Sequence, residues 1–203
     1  VSGYQIHFGG RTVYTPGDVP DVLVAMNPAA LKTNLQDLRP KGMLIVNSGA
    51  FTEANLEKAA YKSNPLDDDA LKRNYKIVQV DMNKLTEAAL AGSGLSSKEV
   101  ARCKNYFALG MLYWLYGRPI EPQLESIQGK FAKKQQFADA NIKVFKAGHA
   151  FGETSELFVS QYRVPAAKLK PGLYRNVTGN QATALGFATV AKLSGRQVFL
   201  GSY

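Results

Sequence analysis

Few side chains of this sequence are grouped as chemistry requires. The two histidines, His7 and His149, lie in separate segments with no cysteines clustered beside them, so the spacing of a metal-ligand set is missing. Both read as surface or packing histidines. The run Asp67-Asp68-Asp69 lacks the glycine and terminal glutamate of a calcium loop and is expected to cap the next helix instead. The single cysteine, Cys103, sits in an apolar stripe at helical spacing, which predicts a small hydrophobe with an inert thiol. One thiol builds neither an internal disulfide, nor a four-thiolate iron–sulfur cluster, nor a structural zinc site. No GxGxxG turn follows a strand, and no GxxxxGK[ST] loop or GxSxG elbow occurs. A self-contained dinucleotide site, a triphosphate site and a serine nucleophile therefore lack support. Gly92-Ser93-Gly94 follows a helix and reads as a plain loop. Asn176-Val177-Thr178 matches the glycosylation sequon, which a cytoplasmic protein does not use.

The elements that would have to position a site alternate in the first half of the chain. Tyr4 to Phe8 and Thr12 to Tyr14 alternate as strands around Gly9-Gly10 and predict a hairpin. Val22 to Met26 is a continuous apolar run, the pattern of a buried strand, and Asn27 caps a helix whose first turn carries Pro28. Met43 to Val46 and Lys76 to Val80 predict two more strands, and helices follow Thr52 and begin at Asn83. This order predicts an α/β fold, a three-layer α/β/α domain with a largely parallel sheet. From Lys98 the pattern is helical almost throughout, and the helix carrying Val100, Cys103, Phe107, Met111 and Trp114 is apolar on most sides. Further helices are expected from Pro122 and from Gln136. Residues 161–172, with Pro165 and Pro171, read as an extended linker. A helix opening at Gly179-Asn180 and a strand from Arg196 to Leu200 then suggest the first β-α-β part of a second domain over residues 173–203.

The longest apolar stretch, Phe107 to Tyr116, falls far short of the ~20 residues a bilayer span needs. No signal peptide is visible, and the lone cysteine suits a reducing cytoplasm. The chain begins at Val1 without a methionine and stops at Tyr203 after an apolar run, so we read it as an interior piece of a longer polypeptide. The net charge of +9 is uneven: residues 98–175 hold thirteen basic and six acidic side chains, while residues 1–97 hold ten of each. A solvated basic face is the plain reading of that excess; an electrostatic patch for a diphosphate-bearing cofactor, an acidic redox protein or another subunit is the sharper one. Nucleic acid is disfavoured, because the lysines are not interleaved with exposed-looking aromatics and no recognition motif occurs.

Four ordered phrases carry a family resemblance along nearly the whole chain: DVLVAMNPAAL (Asp21 to Leu31), LRPKGMLIVNSGAF (Leu38 to Phe51), KNYFALGMLYWLYGRP (Lys104 to Pro119) and NIKVFKAGHAFGET (Asn141 to Thr154). They resemble the gamma-type domain of 2-oxoacid:ferredoxin oxidoreductases. Thr178 to Tyr203 resembles the opening of a thiamine-diphosphate pyrimidine-binding domain, which is fused behind the gamma-type domain in the alpha subunit of the 2-oxoglutarate-type enzymes. The resemblance implies residues 1–160 as a gamma-type domain lacking its glycine-rich start, 161–172 as the linker, and 173–203 as the start of the second domain.

What the resemblance implies chemically is thiamine-diphosphate-dependent, CoA-linked oxidative decarboxylation of a 2-oxoacid, 2-oxoglutarate above all, with electrons passed to ferredoxin. In that family thiamine diphosphate is the electron sink. Its diphosphate-Mg²⁺ site and a 4Fe–4S cluster belong mostly to a beta subunit, so these residues alone are expected to be inactive and to hold no cofactor. Gly201, Ser202 and Tyr203 match the start of the family's substrate-side loop and are the candidate cofactor-facing residues, with a strand-end aromatic filling the core as the plain reading of Tyr203. No catalytic residue and no metal ligand is assigned. Thr178, Gly179 and Asn180 are expected to cap a helix, and Asn105 and Gly110 to serve helix packing or leave room for a ligand. A rival class is a non-catalytic α/β binding or scaffold module whose basic middle segment docks an acidic partner. A third, an autonomous small-molecule transferase, has no convergent catalytic group to support it.

Overall fold

The computed structural model describes residues 3–15, 17, 19–158, 161–175, 177–199 and 201. They divide into two compact units, Val1–Ala167 and Lys168–Tyr203.

The first unit is built on three parallel strands, β1 (Val22–Ala25), β2 (Met43–Asn47) and β3 (Lys76–Val80), in spatial order β1-β2-β3. Val22 pairs with Met43, and Met43 with Lys76. Because successive strand side chains point to opposite faces, each apolar run feeds two cores at once. Ile45, Val78 and Val80 enter one core, and Ala25, Leu44 and Val46 the other. Parallel strands need crossovers, and here these are α1 (Pro28–Asn34) between β1 and β2, then α2 (Glu53–Lys58) and α3 (Asp69–Asn74) between β2 and β3. Leu31 of α1 and Leu71 of α3 share the core of Leu44 and Val46, so these two helices cover the same face. That is what a sheet wound in one direction requires.

The other face is covered by α4 (Met82–Ala89), α5 (Ser97–Leu115) and α7 (Gln135–Thr154), with α6 (Glu121–Lys130) beside α7. Val100, Cys103, Phe107, Met111 and Leu115 form the buried stripe of α5, and Val144 of α7 meets them. Two glycines bring these helices together. A Cβ on Gly110 would lie 2.0 Å from the Phe145 carbonyl oxygen, and one on Gly148 2.1 Å from that of Phe107. The unit is a three-layer α/β/α structure.

Local capping follows the sequence. Asn27 Oδ1 accepts from the Ala30 N–H, and Asp68 Oδ1 from Ala70, so the aspartate run starts α3 as expected. The hairpin expected over Tyr4 to Tyr14 is not formed. No strand occurs there, and Tyr4 and Tyr14 are 91% and 90% exposed. Alternation without a face to bury gains too little to close a two-stranded ribbon.

In the second unit the single element among the described residues is α8 (Gly179–Ser194). Thr178 and Gln181 cap each other: Thr178 Oγ1 accepts from the Gln181 N–H, and Gln181 Oε1 from the Thr178 N–H. Gly195, at φ 66°, ends the helix in the left-handed conformation. No residue of α8 is buried. The strand expected from Arg196 to Leu200 is absent over 196–199, and Leu200 lies outside the described residues. The expected β-α-β opening is thus a capped helix alone, since a strand needs a ladder partner for its backbone groups and this unit offers none among the described residues.

Candidate functional site

Ligands of open parallel sheets gather at the carboxyl ends of the strands. Here that edge is closed by its own side chains. Asn47, the last residue of β2, is fully buried; its Nδ2 donates to Asn83 Oδ1 at 3.1 Å, and its Oδ1 accepts from the Met82 N–H at 3.0 Å. Asn83 Nδ2 donates to the Gly49 carbonyl at 3.2 Å. Gly49 passes so close to Asp81 that a Cβ would meet the carboxylate 2.0 Å away, and Asp81 Oδ1 caps α4 through the Lys84 N–H. The network ties the loop after β2 to the loop after β3. Because each side chain in it already has protein partners, its role is to position those loops.

A groove of about 690 Å³ opens elsewhere on the first unit, walled by α5, α6 and the start of α7. Tyr106, Phe131 and Phe137 are half-buried along it, and Arg102, Lys130 and Lys134 bring three exposed cations to its walls. Tyr106 and Phe131 meet edge to face at 6.3 Å. Burial, and then the nearby Glu99, push the Cys103 thiol up, so it stays protonated and inert at neutral pH. Glu99 is held below the usual carboxylate range, first by hydrogen bonds from the Ser96 side chain and backbone N–H.

At the opposite edge of the sheet, a cavity of about 550 Å³ is lined by His7, Tyr116, Lys76 and Arg163. His7 Nδ1 donates to the Thr15 carbonyl at 3.0 Å. Tyr116 stacks on Tyr162 at 5.3 Å, and Phe8 meets its edge. Its phenol is pushed up to about 12, mainly by burial, then by Tyr162 and Asp21.

Gly201 belongs to the second unit and is exposed, with open space where a Cβ would be. Ser202, Tyr203 and Asn176 lie outside the described residues. Asn105 lines the groove, and Gly110 closes α5 onto α7. Cys103 is buried and His149 half-buried. Sequence reasoning did not single out Asn47 or Asn83; an asparagine ending the apolar run LIVN was the signal available. Among the described residues no group of three His, Cys, Asp or Glu side chains is arranged to hold a metal. No described helix is long and apolar enough to cross a membrane.

The first unit is a parallel α/β/α domain whose carboxyl edge is closed by its own hydrogen bonds. The family model of pyruvate ferredoxin/flavodoxin oxidoreductases matches residues 1–151, and the chain belongs to that family. It is 48% identical over 203 residues, all of its length, to the 2-oxoglutarate oxidoreductase subunit KorA of Mycobacterium tuberculosis, and spans 31% of that subunit. It is 23% identical over 195 residues to subunit alpha of 2-oxoacid:ferredoxin oxidoreductase 2 of Aeropyrum pernix, covering 82% of this chain and 29% of that one. Among solved structures, the 2-oxoglutarate:ferredoxin oxidoreductase of Magnetococcus marinus, with 2-oxoglutarate, coenzyme A and succinyl-CoA bound, superposes with a TM-score of 0.55 at 20% identity. The match covers 78% of this chain and 24% of that one. At that identity the likeness speaks for the fold. The chain thus spans about a third of the curated relatives it matches.

Proposed function

We propose that this chain is part of the alpha subunit of an enzyme that oxidatively decarboxylates 2-oxoglutarate, transfers the acyl group to CoA and passes the electrons to ferredoxin. The observation that carries this reading is the 48% identity to KorA across all 203 residues. Residues 1–160 would be the gamma-type domain, 161–172 the linker and 173–203 the opening of the thiamine-diphosphate pyrimidine-binding domain. Its partner would be a beta subunit in a hetero-oligomer of the cytoplasm.

The residues present do not fit the cofactors by themselves. A 4Fe–4S cluster takes four thiolates, and Cys103 is the one cysteine. A diphosphate-bound Mg²⁺ takes carboxylate oxygens, and among the described residues no group of three His, Cys, Asp or Glu side chains is arranged to hold a metal. These residues would supply walls and interfaces, with Gly201, Ser202 and Tyr203 at the start of the loop that faces the 2-oxoacid and the cofactor.

The test is turnover by the full polypeptide co-expressed with its beta subunit, followed as CoA-dependent reduction of ferredoxin. Reduction with 2-oxoglutarate well above that with pyruvate is expected. Turnover of pyruvate alone would refute the substrate, and turnover of neither would refute the reading.

A further inference from the structure

The basic excess of residues 98–175 has a structural counterpart in the groove of α5, α6 and α7. Among the described residues the ion pairs are Arg39–Asp21 and Lys72–Asp69, both in the first 97 residues. None of the thirteen cations between Lys98 and Arg175 is paired with a carboxylate among the described residues. Three of them, Arg102, Lys130 and Lys134, converge on one groove. The Lys130 and Lys134 ammonium groups each lie 5.7 Å from the ring centroid of a neighbouring phenylalanine, Phe131 and Phe137. Such contacts hold a cation in place without neutralising it. Glu99 is the one carboxylate on the lining; its Oε2 accepts from the Ser96 N–H and the Ser96 hydroxyl, and its charge also feels Arg102 and Lys134, so three cations face one carboxylate in the groove.

Two further features narrow the occupant. The lining combines an excess of cations over its one carboxylate with the half-buried Tyr106, Phe131 and Phe137, so it offers apolar contact as well as charge. The exposed Arg102, Asn105, Lys130 and Lys134 also leave it open to solvent, whereas small-molecule sites enclose most of their ligand. Three cations around one groove are too few and too local to track a nucleic-acid backbone. An open, aromatic-floored, positively rimmed groove suits one side of a polypeptide segment.

We propose that this groove docks an acidic segment of a partner protein, with one apolar or aromatic side chain against Tyr106, Phe131 and Phe137 and carboxylates facing Arg102, Lys130 and Lys134. The inference concerns assembly and does not depend on which 2-oxoacid is turned over.

The experiment places the photo-crosslinking amino acid p-benzoylphenylalanine at Asn105 of the full-length polypeptide, expressed in its own host. The cross-linked segment is then identified by mass spectrometry after irradiation. One dominant adduct is expected, on a segment of a different polypeptide in which Asp and Glu exceed Lys and Arg and flank an apolar residue. The double change Lys130→Glu with Lys134→Glu should lower its yield about tenfold, the sum of two reversed rim contacts. Raising salt from about 0.05 to about 0.5 M should lower it as well, by screening. Should that variant melt earlier than the wild type, Lys130→Gln with Lys134→Gln is read instead, with a smaller loss expected. Absence of an adduct would overturn the proposal. So would an adduct on nucleic acid, on a second copy of this chain or on a segment without acidic excess, or a yield indifferent to both variants and salt. Because the readout is an adduct, failure here leaves the turnover assay untouched, and the reverse holds.

Discussion

Gly148 of α7 rests on Phe107 of α5 so closely that a single added carbon would sit 2.1 Å from the Phe107 carbonyl oxygen. The atom in the way is backbone, which cannot swing aside as a side chain would. Gly148→Ala should therefore destabilise the protein by about 1–3 kcal/mol, as overpacking does, despite the better helix propensity of alanine. In urea unfolding the midpoint should fall while the slope stays the same. Gly129 in α6 is the control, with nothing within 4 Å of its added carbon. Gly129→Ala should raise stability by about 0.5–1 kcal/mol. Equal effects at the two glycines would contradict the packing of α5 on α7.

The buried amide of Asn47 yields a second expectation. Asn47→Leu keeps the branched heavy-atom shape but leaves the Met82 N–H and Asn83 Oδ1 without this partner, which should cost about 1–3 kcal/mol. Asn83→Ala removes a half-buried side chain and should cost less, because water can reach what it leaves. Thermal melts of both variants decide the order. A larger loss for Asn83→Ala would show that the network is anchored from the other end.

Tyr116 links burial to pH. The folded state holds its phenol at about 12, above the ordinary value of 10.0, chiefly because burial penalises the phenolate. As pH rises past 10 the unfolded chain releases this proton and the folded one does not, so stability is full below pH 10 and falls between 10 and about 12. Phenolate absorbance at 295 nm should show late-titrating phenols among the ten tyrosines, Tyr61 raised by burial and Tyr116 last of all, and Tyr116→Phe should remove the latest step. A titration unchanged by the substitution would place the buried phenol elsewhere.

Much of this architecture was legible in the residues. Val22 to Met26 and Met43 to Val46 are short runs apolar at consecutive positions, as a strand covered on both faces tolerates, and both entered the sheet. The all-round apolar character of α5 foretold a helix pressed between a sheet and another helix. Tyr4 to Tyr14 and Arg196 to Phe199 misled because alternation reports a preference, whereas a strand exists only when a neighbour takes its hydrogen bonds. The site was less legible. Asn47 and Asn83 are 36 residues apart and become a pair through the β2–β3 register alone. Lys130 and Lys134 look like ordinary surface lysines until α6 and α7 bring them to the groove with Arg102. Gly201, Ser202 and Tyr203 came from family likeness, with no local pattern of their own to mark them.

Under the proposed function these 203 residues would frame a coenzyme held mainly by another chain. Isothermal titration of thiamine diphosphate with Mg²⁺ tests it most directly, first into these residues alone and then into the full polypeptide with its beta subunit. We predict no saturable heat in the first titration and saturable, Mg²⁺-dependent binding in the second. Tight stoichiometric binding by the 203 residues alone would contradict the account.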